Sequence, residues 1–434
     1  MPQSPPDRQK ARYPAPSPGL PARRAALKLL DAVIRRGQPL EAALGAATQG
    51  IERSDDRALA HAIAAETLRR LPDLDALIDS ATAKPLPDDA KARFALRIAL
   101  VQALALGTPG HAAIATVLPL VDGGPRRLVH GVFGSLMRKG ETLPEVPALL
   151  PEVAARWEAH WGADMVAGAE AAIAAPPPLD LTLADAQETD HWVSELGGIS
   201  LMPGHVRLAD AGPVASLPGF AEGRWWVQDL AASLPARLLG PGDGVVLDLC
   251  AAPGGKALQL AAAGWQVTAL DRSAQRLDRV RENAERTGLA LDIREADVMS
   301  WAPDVPARAI LLDAPCSATG IFRRHPDVLH RVRPRDIAEM AALQATMLDR
   351  AVDWLAPGGT LVYATCSLEP EEGERQVETL LRNRNDIALQ PVTEGELPAG
   401  TFARERRWVR TLPGMLADAG GLDGFFIARL VRKG

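Results

Sequence analysis

The sequence predicts an α/β protein with a mostly parallel, doubly wound sheet in its second half, an all-helical bundle in its first, and a small α+β connector between them. Three observations predict it. From Pro241 onward, short apolar runs with strand character alternate with helical runs, the signature of a parallel sheet covered by helices. Between 21 and 140 the apolar residues recur at helical spacing. At Pro176-Pro177-Pro178 a helical run breaks off into short strand-like pieces. The expected boundaries are a disordered leader at 1–20, the bundle at 21–140, the connector at 141–236 and the α/β domain at 237–434.

Seven of the first twenty residues are Pro or Gly, with few apolar anchors, hence the leader. In the bundle, Ala25, Leu29, Ala32 and Val33 share one helix face, and Leu59, Ile63, Ala64 and Leu68 share another. Asp55 and Asp56 open that second helix while Arg69 and Arg70 close it, as the helix dipole favours. Further helical runs cover 89–106, 111–120 and 126–137. The connector carries one helix, 152–175, before the prolines. Buried parallel strands are expected at Val245-Val246-Leu247-Asp248-Leu249, in a run ending at Asp271, in another ending near Asp297, at Ala309-Ile310-Leu311-Leu312 and at Thr360-Leu361-Val362-Tyr363. The run 424–431 reads as a closing strand.

At 434 residues, 47% hydrophobic and 24% charged, the composition is that of a soluble globular chain with room for two or three domains. No apolar run approaches the roughly 18 residues of a membrane span, and the start lacks the apolar core of a signal peptide. Three widely spaced cysteines without a C-x-x-C pair argue against a zinc site or a disulfide framework. A cytoplasmic monomer with no metal and no membrane partner is expected. The net charge of −6 gives no global sign of a polyanionic partner, although only the local field at a binding face steers one.

A glycine loop follows the first strand and opens a helix: Cys250, Ala251, Ala252, Pro253, Gly254, Gly255, Lys256. Backbone N–H groups in such a turn suit an anionic or polar ligand. A phosphate-binding P-loop would need Gly at 250 and Ser or Thr at 257, where the chain has Cys250 and Ala257, and the dinucleotide fingerprint G-x-G-x-x-G is absent. A smaller ligand remains. Asp271 at the next strand end can accept both hydroxyls of a ribose, and Asp297 can hold an exocyclic amine. With the loop, they suggest S-adenosylmethionine. The ordinary account of a lone Asp is a loop-capping carboxylate, but Asp271, Asp297 and Asp313 stand at successive strand ends.

All three cysteines follow strands, Cys250 in the glycine loop, Cys316 in Asp313-Ala-Pro-Cys-Ser and Cys366 in Thr365-Cys-Ser. Ligands bind outside the carboxyl ends of parallel strands, so these thiols face the crevice. A single cysteine is most often a small buried hydrophobe, and Cys250 is read that way, packed beneath the loop. Two in Pro-Cys-Ser and Thr-Cys-Ser turns point to chemistry. C5 of cytosine or uracil is too weak a nucleophile to attack a sulfonium methyl. A thiolate adding to C6 activates C5, and after methyl transfer the C5 proton and the thiol leave. Asp313 could bond the base's N3/N4 edge, while a second thiol helps discharge the adduct. Which cysteine attacks is left open by the residues themselves.

These blocks resemble the Sun/Nop family of RNA (cytosine-5)-methyltransferases: 248–256, 312–321 with Arg323-Arg-His-Pro-Asp327, 358–367, Val227-Gln228-Asp229 and Asp423-Gly-Phe-Phe426. They cover roughly the last half of the chain. Arg23-Arg-Ala-Ala-Leu-Lys-Leu-Leu30 and Asp56-Arg-Ala-Leu-Ala60 are similar to the NusB-like RNA-binding domain fused to one bacterial branch, which modifies a cytosine of 16S ribosomal RNA. The resemblance implies a Rossmann-like class I methyltransferase domain behind an all-α NusB-like domain, with small-subunit ribosomal RNA as partner. It makes Cys366 the nucleophile and Cys316 the residue that helps release product. It also assigns 250–256, Asp271, Asp297 and Asp313 to S-adenosylmethionine, with Asp313 bordering the base. Lys256 either lowers a thiol pKa or supports the loop. Two features depart from the family. Thr182 and Ala184 stand where it has an Arg-x-Asn pair, and the second strand continues Asp271-Arg272-Ser273 rather than with an apolar residue next, a tolerated surface change.

Residues 321–335 hold five arginines (Arg323, Arg324, Arg331, Arg333, Arg335), next to His325 and directly after the Cys316 turn. Arg404, Arg406, Arg407 and Arg410 surround Trp408. Guanidinium groups suit phosphate and an aromatic suits base stacking, although most charge runs are solvated, salt-bridged faces. RNA contact is expected at Arg323, Arg324 and His325, while the second cluster stays open. The target base must be flipped out or lie in a loop to reach the rim. Competing readings are methylation of tRNA or DNA cytosine, and a non-catalytic RNA-binding assembly factor.

Overall fold

The computed structural model describes residues 19–174, 176–401, 403–404 and 407–434, so the expected leader lies outside it except for Gly19 and Leu20. Two compact units result, one running to Pro144 and the other from Glu145 to Gly434.

The first unit is helical: α1 (Leu20–Ile34), α2 (Leu40–Ala47), α3 (Ser54–Arg69), α4 (Leu71–Ser80), α5 (Lys91–Leu104), α6 (Gly110–Val117) and α7 (Gly123–Lys139). The apolar faces expected on α1 and α3 supply Leu29, Val33, Ile63 and Leu68 to one core, with Leu96, Leu100 and Leu136. α5 is buried all along from Ala92 to Gln102, as a helix apolar nearly all round must be. Its two guanidinium groups are paired rather than bare: Arg97 donates to Asp75 at 2.7 Å and Arg93 to Asp79 at 2.7 Å, both acceptors on α4. Both α2 and α4 escaped the sequence pattern, α2 for its eight residues and α4 because it starts directly after α3.

The second unit opens with α8 (Pro151–Trp161) and α9 (Ala163–Ile173). The single helix expected over 152–175 is therefore corrected. Gly162, at φ 86°, caps α8 and turns the chain, a conformation that costs glycine little. A small antiparallel sheet follows, built from β1 (Leu179–Leu183), β2 (His205–Leu208) and β3 (Trp225–Val227) in the order β2-β1-β3, with α10 (Thr189–Leu196) packed on it. Thr182, where the family has Arg, is buried in β1 opposite His205 and Trp226.

After α11 (Leu230–Leu239) come β4 (Val245–Asp248), α12 (Gly255–Ala262), β5 (Gln266–Asp271), α13 (Ala274–Thr287), β6 (Leu291–Glu295), β7 (Ala307–Asp313), the short α14 (Val328–Arg331), α15 (Pro334–Trp354), β8 (Leu355–Thr365) and α16 (Glu374–Asn383). β9 (Ile387–Leu389), β10 (Ala403–Arg404), β11 (Trp408–Thr411) and β12 (Phe425–Arg432) end the chain. The large sheet runs β10-β11-β12-β8-β7-β4-β5-β6, with β9 also on β12. The five strands from β8 to β6 are parallel and the β9–β12 pairings antiparallel. The single closing strand read from sequence thus belongs to an antiparallel edge whose other strands were too short to see. From β4 the chain winds one way to β5 and β6, then crosses to β7 and β8. The switch point lies between β4 and β7, where such sheets bind ligands. Ser273, expected as a tolerated surface change, caps α13, its Oγ accepting the Arg276 amide.

Candidate active site

β7 and β8 are in register to their ends, Asp313 opposite Ala364, so the turns that follow them rise side by side. Cys316 and Cys366 meet there, with 3.4 Å between the sulfurs. Fifty positions separate them in sequence, and the parallel pairing of β7 with β8 sets their turns side by side.

A cavity of about 260 Å³ opens beneath both thiols and is walled by Cys250, Ala252, Asp271, Asp297, Asp313, Cys316 and Cys366. A second cavity, of about 430 Å³, lies on the other side of the glycine loop and is lined by Ala251, Pro253, Gly255 and Lys256 together with Gln228, Arg324 and His325. Cys250, Ala252 and Asp313 line both, so they form the partition. Gly254 acts through backbone shape: its φ is 108°, and a Cβ there would come within 3.2 Å of Val280, as one on Gly255 would of Gln228. Asp271 is tied to the loop, accepting the Ala252 amide at 3.3 Å and the Ser273 amide at 3.0 Å. Asp297 accepts the Met299 amide at 2.8 Å. Cys250, read as packing beneath the loop, does pack against the core there, and it also lines both cavities.

The electrostatics divide the groups. Lys256 donates to Asp313 at 2.7 Å and lies 5.4 Å from the centre of the Phe425 ring. Burial works against its charge, yet the Asp313 carboxylate outweighs burial and raises the pKa. The lysine therefore ties α12 to the tip of β7 as a cation. The hydrogen bond to Cys366, then burial, push the Cys316 thiol far up, so Cys316 keeps its proton at neutral pH. Burial, then the Asp248 carboxylate, do the same to Cys250. Asp248, only 1% exposed, has no side-chain hydrogen-bond partner among the described residues. Burial, then Asp313, raise it from 3.8 to about 7.

A raised carboxyl pKa destabilises the fold progressively as pH climbs from the unfolded value, 3.8, through about 7, and fully above that. Asp248→Asn is accordingly expected to raise the melting temperature of the ligand-free protein more at pH ~8 than at pH ~4. An equal gain at both pH values, in thermal unfolding followed by circular dichroism, would refute this.

The arginine cluster requires correction. Arg323 is 2% exposed, and its guanidinium donates to Asp423 at 3.0 Å, to Asp229 at 3.1 Å and to the Gly420 carbonyl at 2.9 Å. It is a buried hub joining three segments, closed to phosphate. Arg324 donates to Asp229 at 2.9 Å but still borders the larger cavity, as does His325. Arg331 pairs with Asp327, and Arg335, exposed, with Glu339. In the second cluster Trp408 is buried and Arg410 donates to Glu374 at 2.6 Å. Arg404 and Arg407 lie over the Trp161 and Trp408 rings, at 5.5 and 4.4 Å from the ring centres; Arg406 is outside the described residues. Arg323→Ala would leave Asp229 and Asp423 short of a partner in the interior, for a loss of about 3 kcal/mol in urea unfolding. A loss below about 1 kcal/mol, the worth of a surface pair, would contradict the hub.

Glu372, which meets both cysteine turns, was missed from sequence, whereas Gln228, whose amide donates to Gln259 at 2.8 Å on the wall of the larger cavity, stood in a recognised block. Asp229 and Asp423 sat in recognised blocks without a role. Distant acids answer Arg323 and Arg324, while Arg331 and Arg335 pair within four residues.

The described residues contain no group of three or more His, Cys, Asp or Glu arranged to hold a metal ion, and no helix long and apolar enough to cross a membrane. Residues 236–431 match the family model described as 16S rRNA methyltransferase RsmB/F, and residues 20–129 the NusB family. The chain is 35% identical to ribosomal RNA small subunit methyltransferase B of Klebsiella pneumoniae, over 95% of this chain and 98% of that one. The corresponding protein of Xanthomonas campestris is 37% identical over the same shares. A methyltransferase homolog protein from Pyrococcus horikoshii superposes with a TM-score of 0.55 at 27% identity, covering 69% of this chain and 98% of that one. Identity of this extent across both units shows that the chain belongs to the RsmB/F family of 16S rRNA methyltransferases.

Proposed function

We propose that this protein methylates C5 of a cytosine in 16S ribosomal RNA, with Cys366 as the covalent nucleophile, Cys316 as the thiol that aids product release, and S-adenosylmethionine as donor. The pair of thiols in contact above one cavity is the observation that carries it. Family membership supports methylation of small-subunit rRNA, and the cysteines supply the argument for C5.

The donor suits the smaller cavity. Three carboxylates, Asp271, Asp297 and Asp313, line it over an apolar floor of Val298, Leu343 and Met347, a setting for a cationic nucleoside with a ribose and a flat base. When bound, S-adenosylmethionine supplies the methyl group. Asp271 would accept ribose hydroxyls, Asp297 an adenine amine, and 250–256 would wrap the amino-acid end. The target base approaches from the larger cavity and meets Asp313, which accepts from the cytosine amino group. Lys256 fixes that carboxylate. Cys366 bonds to C6 as a thiolate and makes C5 nucleophilic; once C5 is methylated, its proton passes to water, the C–H pair re-forms the C5–C6 double bond, and Cys366 leaves with the S–C6 pair. Cys316, protonated and in contact with Cys366, is the group beside the breaking bond that can exchange a proton. Arg324 and His325 at the larger cavity border the RNA path.

The test uses 16S rRNA, tritiated S-adenosylmethionine and the two single-cysteine variants. The product should be 5-methylcytosine, with a covalent RNA complex that needs Cys366. A different methylated nucleoside, or turnover without Cys366, would overturn the assignment.

A further inference from the structure

We propose that Glu372 is a positioning residue for both thiols: its carboxylate clamps the two cysteine-bearing turns together and sets where each sulfur points. The proposal rests on the two-thiol mechanism above.

The backbone ladder joining β7 to β8 stops at Asp313 and Ala364, before either cysteine is reached. Beyond it, one buried side chain binds the residue that follows each cysteine. Glu372 accepts the Ser317 amide at 2.8 Å, and its other oxygen accepts the hydroxyls of both Ser317 and Ser367. Gln344 of α15 donates at 3.1 Å to the same carboxylate and at 2.8 Å to the Pro315 carbonyl. The backbone carbonyl of Glu372 accepts the Thr365 hydroxyl at 3.3 Å and the Tyr363 hydroxyl at 2.7 Å. Cys316 is thus held through Pro315 and Ser317, and Cys366 through Thr365 and Ser367, by Glu372 and its glutamine partner, beside the Gly320 amide, which donates to the Cys366 carbonyl at 2.9 Å, and the Thr319 hydroxyl, which accepts the Leu368 amide at 3.0 Å.

An interior carboxylate is a costly way to join two loops. Glu372 is 0% exposed, and burial raises its pKa although its hydrogen bonds from Ser317, Ser367 and Gln344 favour the charged form. What a carboxylate does that an apolar side chain cannot is fix several donors at set angles. Ser317 and Ser367 also lie 3.2 Å apart across the two turns, so a shift of one is felt by the other. Glu372 lines neither cavity, which separates positioning from contact with substrate.

The experiment compares Glu372→Gln, Ser317→Ala and Ser367→Ala with wild type in the full-length protein, using 16S rRNA. Glutamine keeps the shape but turns a donor toward groups that already donate. Misplacing a reacting group by around an ångström is expected to lower kcat about a hundredfold in Glu372→Gln. KM for RNA and the calorimetric affinity for S-adenosylhomocysteine should stay at wild-type values. Each serine variant, which loses one contact, should show a smaller loss of the same kind. Wild-type kcat in all three variants overturns the proposal, and so does a loss that tracks weakened S-adenosylhomocysteine binding, the sign of a general structural role. Should Glu372→Gln fail to fold, the serine variants decide alone. Cys366→Ala run alongside separates the two claims: activity there sinks the thiol mechanism, whereas an inactive Cys366→Ala beside fully active Glu372 and serine variants sinks only the clamp.

Discussion

Cys366→Ala is expected to lower methyl transfer by at least about 10⁴-fold, because the route to a nucleophilic C5 goes with the sulfur. The substitution should not disturb binding of the donor, since the carboxylates and loop of the smaller cavity remain. Alanine leaves little strain where a partly buried thiol stood. Equilibrium binding of S-adenosylhomocysteine, measured beside turnover of tritiated donor on 16S rRNA, distinguishes lost chemistry from lost fold. Retained turnover would show that another group attacks C6, or that the methylated atom is one needing no covalent activation.

Cys316→Ala has the opposite signature. Addition and methyl transfer still proceed, but the adduct discharges slowly without its neighbouring proton-carrying thiol. A protein–RNA complex stable to denaturing gel electrophoresis should accumulate, and adding Cys366→Ala should abolish it. The division of roles between the two thiols follows the family resemblance. The sulfurs share one cavity and touch, so access does not tell them apart. A complex that forms in Cys366→Ala and not in Cys316→Ala would exchange the two assignments.

Much of this site was legible from sequence because its parts sit at strand ends. A buried parallel strand is a short apolar run, and the residue after it must face the ligand edge, so Asp271, Asp313, Cys316 and Cys366 could be placed without coordinates. Glu372 was invisible for a physical reason. It lies in a short turn before α16 with no periodicity to mark it, and its partners Ser317 and Gln344 are 55 and 28 positions away. The arginines show the reverse error. Arg323 beside Arg324 resembles a phosphate site locally, but its acids, Asp229 and Asp423, lie 94 and 100 positions distant. Only burial reveals that this charge is used inside.

From its own sequence, then, the chain determined the alternation of strands and helices, the glycine loop and which cysteines stand at strand tips, because hydrophobic period and turn residues are local properties. Tertiary structure alone decided that two of those thiols touch, that a glutamate grips both turns, and that Arg323 is enclosed. Contact, burial and charge pairing depend on segments far apart along the chain, and folding is what sets their distance.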